Sequence, residues 1–262
     1  MAARLMARLQ DKIAIITGAG RGIGAATARR FVEEGAQVVI AELNAQAGEE
    51  MAAHLRADGY PAIAVATDVS DHDAVRRMVE ETVQRLGPPR ILVNNAGVNL
   101  FRDPLQLTDE EWRRCLAVDL DSMWFCSREV LPYMLAEGGG SIVNMASVHA
   151  FNIIPGCFPY PVAKHAVIGL TRALGIEYAA RNIRVNAVCP GYIETQITVD
   201  YWNTHPDPEA VRLYSYNLHP PKRIGTAEEV AAAVAYLASD EAGFVNATCL
   251  VVDGGRSVLY HD

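Results

Sequence analysis

The chain of 262 residues has no apolar run long enough to cross a bilayer. The longest, Ala231 to Ala238, falls far short of the ~20 residues a membrane helix needs. Cysteine is sparse and scattered: Cys115, Cys126, Cys157, Cys189 and Cys249 make an odd number with no CxxC pair. That excludes a disulfide framework and reads as reduced thiols in a cytoplasmic protein. The seven histidines form no metal-ligand spacing, so no metal is expected. Positive charge is in deficit, at a net −8, which argues against a nucleic-acid partner. The opening MAARLMARLQ lacks an apolar core and reads as a frayed leader to the first strand, not a secretory signal. Linkers, repeats and low-complexity segments are missing as well. The expectation is one domain over 1–262, with no membrane or nucleic-acid partner.

What is present is half hydrophobic and 21% charged, a soluble enzyme's balance. Short, continuous apolar runs alternate with helical patterns. The runs are Lys12 to Thr17, Gln37 to Ala41, Ala62 to Ala66, Arg90 to Val93, Ser141 to Met145, Ile183 to Val188 and Leu250 to Val252. Strands that are apolar throughout, with helices between them, mean a parallel sheet covered on both faces, an α/β fold. Helices are expected from Ile23 to Glu34, after the Asn44 cap to about Asp58, and from Ser70-Asp71 to about Leu86. Another follows the capping box of Thr108 and Glu111, bent on its way to about Ala136, and one more runs from Tyr160 to about Ala180. Residues 192–223 are rich in Tyr, Asn, His and Pro and look irregular. Such a stretch is either a mobile surface loop or a substrate lid, and its aromatics favour the lid.

Three constellations carry chemistry. Gly18, Arg21, Gly22, Ile23 and Gly24 lie in a glycine-rich turn between the first strand and first helix, where backbone can approach a pyrophosphate at the helix N-terminus. Glu42 ends the second strand. It either accepts the adenosine ribose hydroxyls and repels a 2′-phosphate, favouring NAD over NADP, or is a solvated surface acid. Arg21 offers a compensating charge to a phosphate, so NADP stays open. Asp68 either meets the adenine or caps the next helix, and Asn95, Ala96 and Gly97 suit close contact with a nucleotide. Tyr160 and Lys164 stand four apart and share a helix face. A phenol titrating near ~10 is a poor base until a neighbouring ammonium lowers its pKa. Ser147 can bring a hydroxyl to the same substrate oxygen, which is what hydride transfer to or from an alcohol carbon requires. Taken alone, the four-residue spacing is equally a coincidence on a helix surface.

Together these residues resemble the short-chain dehydrogenase/reductase family. The glycine turn matches TGxxxGxG, Asn94 to Gly97 matches NNAG, and Ser147, Tyr160 and Lys164 match the family's Ser and YxxxK. Pro190-Gly191 with Thr195 matches PGxxxT, and Asp253-Gly254-Gly255 matches DGG. The resemblance implies a single Rossmann-type doubly wound parallel seven-stranded sheet and a nicotinamide cofactor. It also implies that Val69, Pro190, Gly191, Ile193 and Thr195 border that cofactor. Lys164 would contact the ribose, Tyr160 would exchange the proton, and a homotetramer would form through the helices at about 108–136 and 160–180. Asp119 stands where the family has a relay Asn, and so it joins the catalytic set with a charge that Asn lacks. Pro161 directly follows Tyr160, which places Tyr160 at the start of its helix. Asn246-Ala247 replaces a common Thr-Gly pair and has no evident reading.

The expected activity is hydride transfer between nicotinamide and a secondary alcohol or carbonyl on a sugar or polyol. The polar residues His149, Asn152, Tyr192, Glu194, Gln196 and Asn203 are expected to bind hydroxyls, with Trp202 covering a sugar ring face. The stretches SVHAFNIIPGCFPY and GYIETQ resemble those of aldose 1-dehydrogenases. Reduction of a 3-oxoacyl thioester is the alternative. A nucleotide-binding regulator without activity is disfavoured by the complete Ser-Tyr-Lys set.

Overall fold

A computed structural model describes residues 7–260. Residues 1–6, most of the expected leader, lie outside the described residues. The rest of that leader is docked rather than frayed. Leu9 is fully buried, and the Arg8 guanidinium pairs with the buried Glu34 carboxylate.

Seven parallel strands form the central sheet in the order β3–β2–β1–β4–β5–β6–β9. They are β1 (Ile13–Thr17), β2 (Gln37–Glu42), β3 (Ala62–Ala66), β4 (Ile91–Asn94), β5 (Gly140–Met145), β6 (Ile183–Pro190) and β9 (Cys249–Val252). β1 shows why continuous apolar runs are needed. Successive side chains point to opposite faces, and Ala14 and Ile16 join one core cluster while Ile15 joins the other. The first cluster packs under α1 (Gly22–Glu33), α2 (Ala45–Ala57) and α9 (Ala227–Ala238). The second packs under α3 (His72–Arg85), α5 (Ser122–Ala136) and α6 (Tyr160–Tyr178). Phe31 of α1 is fully buried in the first cluster, and Phe31→Ala would cost about 3–5 kcal/mol. The strand order reverses at β1, between β2 and β4, so a crevice opens at the carboxyl ends of these strands.

Three segments differ from expectation. The helix expected across 108–136 is two helices, α4 (Asp109–Leu116) and α5, joined by one π-helical turn, Ala117–Asp121. Such a turn inserts a residue and turns side chains out of the α-helical register. Residues 192–223 are not irregular. They hold β7 (Ile193–Glu194), α7 (Gln196–Asn203) and α8 (Pro208–Asn217), and β7 pairs with β8 (Gly225–Thr226). The Asp207 carboxylate caps α8 by accepting from Ala210 N at 3.0 Å, with Pro208 in the first turn. The buried positions of these helices are Thr198, Trp202 and Ser215, so hydroxyl and indole groups conceal the periodicity that aliphatic residues would show. Finally, α9 was not among the expected elements. Its start is a capping box made by Thr226 and Glu229.

Candidate active site

The cofactor-side half of the crevice is built by backbone at the ends of β1, β2, β3 and β4. Gly18 has φ +62°, and a Cβ there would lie 2.9 Å from the Ala96 Cα. At Gly24 a Cβ would collide with the Gly18 carbonyl oxygen, so this glycine lets α1 approach β1 without itself lining the cavity. No side chain caps the N-terminus of α1. Its first-turn N–H groups are therefore left to an external acceptor, and the helix dipole favours an anion there. The Thr17 hydroxyl accepts from Asn95 N and Ala96 N, both at 3.0 Å. In return, Asn95 Nδ2 donates to Thr17 O at 2.9 Å and Gly18 O at 3.0 Å. Glu42 Oε2 accepts from Gly20 N at 3.0 Å and Oε1 from Asn44 N at 3.2 Å, which holds the carboxylate beside the glycine turn. Asp68 caps its own turn, accepting from Ser70 N at 2.9 Å and Ser70 Oγ at 2.6 Å. An open anion site, a clamped carboxylate and a glycine floor fit a dinucleotide.

Ser147, Tyr160 and Lys164 come together in the wall of the same cavity, whose volume is about 480 Å³. Ser147 follows β5, and its Oγ accepts from His149 N at 3.1 Å. Tyr160 is the first residue of α6 and Pro161 sits in the opening turn, as the sequence anticipates. Lys164 is buried. Its Nζ donates to Met145 O at 3.1 Å, lies 3.3 Å from Asp119 Oδ1 and stands 5.3 Å from the centre of the Tyr160 ring. Burial raises the Tyr160 pKa, while the Lys164 charge and the Ser147 hydroxyl lower it; burial prevails and the phenol titrates above its usual range. The lowering by Lys164 is as expected, but the net direction is the reverse. For Lys164, burial works against the ammonium, and Tyr160 and Asp119 outweigh it, so its pKa is raised.

The cavity is lined by Gly18, Arg21, Gly22, Ile23, Glu42, Asp68, Val69, Asn95, Ala96 and Gly97, and by Asp119, Pro190, Gly191, Tyr192, Ile193, Thr195 and Gln196. On the substrate side the sequence reading needs correction. Trp202 is 4% exposed and packs edge-on against Tyr192 and Tyr216. It is the core of the α7–α8 segment and presents no face to a ring. Asn152 is exposed and its amide reaches Ser257 O at 3.4 Å. Glu194 and Asn203 are exposed and outside the lining. Gln196 is in the lining, but its amide already donates to Asp200 at 2.8 Å. His149 is also outside the lining but lies against it: its ring meets Tyr160 edge-on at 5.8 Å, and its Nδ1 is buried without a hydrogen-bond partner. Burial lowers its pKa and favours the neutral ring.

Two features escaped sequence reasoning. Phe101 meets Tyr160 edge-on from another direction, at 5.8 Å, and forms a bridge with Pro159. It lies in the loop after β4, and no local pattern marks that long-range contact. Arg114, in α4, lines the cavity. Asn246 has also found a role. Its Oδ1 accepts from Val185 N at 2.9 Å and its Nδ2 donates to Gly175 O at 2.8 Å, tying β6 to α6.

Comparison with known proteins places this geometry. The family model described as "Enoyl-(Acyl carrier protein) reductase" matches residues 18–257. Meso-2,3-butanediol dehydrogenase of Serratia marcescens is 41% identical over 250 residues, 95% of this chain and 96% of that protein. Among solved structures, ligand-free aldohexose dehydrogenase of Thermoplasma acidophilum superposes with a TM-score of 0.89 at 37% identity, covering 98% of each chain. Gluconate 5-dehydrogenase of Burkholderia cenocepacia, in complex with NADP and tartrate, gives 0.90 at 33% identity, covering 97% of this chain and 98% of that one. The chain belongs to the short-chain dehydrogenase/reductase family of oxidoreductases, enzymes that use a nicotinamide cofactor. Among the described residues no helix is long and apolar enough to cross a membrane.

Proposed function

We propose that this enzyme transfers a hydride between NAD and a secondary alcohol or carbonyl carried on a sugar or polyol. The observation that carries the reading is the meeting of Ser147, Tyr160 and Lys164 in a cavity that the uncapped N-terminus of α1 also lines. The bound nicotinamide would supply the hydride acceptor or donor. Tyr160 exchanges a proton with the substrate oxygen, Ser147 donates a hydrogen bond to that oxygen, and Lys164 holds positive charge beside the phenol. Arg21, Gly22, Ile23 and the loop at Asn95, Ala96 and Gly97 hold the dinucleotide. Asp68, Val69, Pro190, Gly191, Ile193 and Thr195 border it. The choice of NAD rests on Glu42, whose clamped carboxylate opposes a 2′-phosphate.

Sugar and polyol substrates are supported by the buried, unpartnered His149 Nδ1 beside Tyr160, by Tyr192 in the lining, and by relatives that act on a diol, an aldohexose and gluconate. The segment 192–223 covers the substrate side as a helical lid. The exposed Trp124 of α5 and Val162 and Ile176 of α6 support a homotetramer through these helices. The five thiols support a cytoplasmic setting. A second reading, reduction of a 3-oxoacyl thioester, is favoured by the apolar groove of about 360 Å³ beside α6, with exposed Ile153 and Ile154, which suits an acyl chain. The test is NADH formation from L-fucose, L-rhamnose, L-arabinose, D-arabinose and 2,3-butanediol, set beside NADH oxidation with an acetoacetyl thioester. Thioester reduction without activity on any hydroxylated substrate overturns the first reading.

A further inference from the structure

Resting on the reading of Tyr160 as the proton-transfer group, we propose that Asp119 is a positioning residue: it fixes the net charge around Tyr160 and Lys164 and moves the working pH of the site upward. The carboxylate is fully buried on the π-helical turn between α4 and α5. Oδ1 accepts from Val98 N at 3.1 Å and stands 3.3 Å from Lys164 Nζ, while Oδ2 faces the Cys115 thiol at 3.8 Å. Gly97 leaves the room this carboxylate needs, since a Cβ there would lie 2.6 Å from Oδ1. The Val98 N–H and the Lys164 ammonium together hold this carboxylate beside the lysine.

The consequence follows from counting charges. The titratable groups facing this centre are Cys115 from α4, Tyr160 and Lys164 from α6, His149 from the turn after β5, and Cys189 from β6. Burial, then Asp119, pushes the Cys115 thiol up to about 11, so it is neutral. His149 is kept neutral by burial, and Cys189 is kept protonated by its contact with Cys249 and by burial. Asp119 and Lys164 form the ion pair. The charges of Arg114 in the cavity wall and of Cys249, whose thiol the Cys189 contact lowers to about 7, are common to the wild type and any Asp119 variant. The count that matters is therefore of the ion pair and the phenol. With the phenol protonated this centre sums to zero, and ionising Tyr160 takes it to minus one. With a neutral side chain at this position, the same ionisation takes the centre from plus one to zero. In a buried site the second step is the easier one. Asp119 thus keeps Tyr160 protonated to higher pH. It raises the pH at which alcohol oxidation, which needs the phenolate, begins. By the same amount it extends the range over which carbonyl reduction, which needs the phenol, persists.

The test is Asp119→Asn, which preserves shape and the acceptor for Val98 N–H. In cofactor-free protein, the tyrosinate absorbance titration of Tyr160, isolated by subtracting the same titration of a Tyr160→Phe variant, should move down by about one pH unit, a tenfold change in ionisation constant. In the complete enzyme the acid limb of oxidation and the alkaline limb of reduction should move down together by that amount. Asp119→Ser repeats the measurement should Asp119→Asn not fold. An unmoved tyrosinate midpoint, or limbs that move in opposite directions, overturns the proposal. Wild-type protein inactive on every alcohol and carbonyl, but with a midpoint that moves as stated, overturns the proposed function and leaves the role of Asp119 standing.

Discussion

Replacing Asn246 with alanine should destabilise the protein without touching its chemistry. The side chain makes two hydrogen bonds, both to main-chain groups of other elements: Val185 N–H on β6 at 2.9 Å and Gly175 O on α6 at 2.8 Å. Both residues are buried, so neither group finds water once the amide is gone. An unpaired buried group costs about 1–3 kcal/mol, and two give about 2–6 kcal/mol. For a domain of this size each kcal/mol lowers Tm by about 2–4 °C, so a fall of roughly 4–24 °C is expected. Calorimetry and urea unfolding measure it. The series has internal controls. Asn246→Thr restores one hydrogen bond and should recover about half the loss. Asn246→Asp keeps the acceptor for Val185 but sets a carboxylate against the Gly175 carbonyl, so it should be no better than alanine. Tyr160 and Lys164 sit at the other end of α6, and kcat below the transition should stay near wild type. An alanine variant melting within about 1 °C of wild type would refute the reasoning that these two bonds couple the helix to the sheet.

Three further outcomes are expected. Tyr160→Phe should lower kcat by about 100- to 10,000-fold with near-normal cofactor binding by fluorescence titration; retention of a tenth of the wild-type rate would remove Tyr160 from the proton-transfer role. Glu42→Ala should reduce kcat/KM for NAD by about 10- to 100-fold, the equivalent of a charged hydrogen bond, and raise it for NADP; unchanged selectivity would mean that Glu42 does not read the ribose. Glu229 is held at about 2 by Arg223 and then by the Thr226 backbone N–H. Its folded pKa is depressed, so its contribution is complete above the ordinary value of 4.5 and is lost as pH falls through about 2. Glu229→Gln should flatten the acid decline of Tm across that window, and an unchanged slope would count against the pairing.

The strands were legible because a sheet covered on both faces demands unbroken apolar runs, and Ile15 and Ile16 serve opposite cores from adjacent positions. The glycine turn and the Tyr160–Lys164 pair were legible because their spacing is local. What escaped depends on contacts between distant segments. Phe101 reaches Tyr160 only through the packing of the β4 loop against Pro159. Trp202 looked like a ligand platform because an aromatic in a polar stretch resembles one, yet the same indole is what α7 and α8 have in place of an aliphatic core. The α9 helix carried its signal in Thr226 and Glu229, but its alanine-rich run invites a question about membranes before one about helices.

The four hydrogen bonds among Thr17, Gly18, Asn95 and Ala96 join the end of β1 to the end of β4. Through them the glycine turn and the asparagine loop are joined into one hydrogen-bonded plate. A substitution in either loop is felt by the other, so changes there should be strongly non-additive. Under the proposed function, movement that admits or releases a ligand falls to segments off the plate, α7 and α8 foremost. Selection on substrate can rework those segments while the plate that receives the dinucleotide stays as it is.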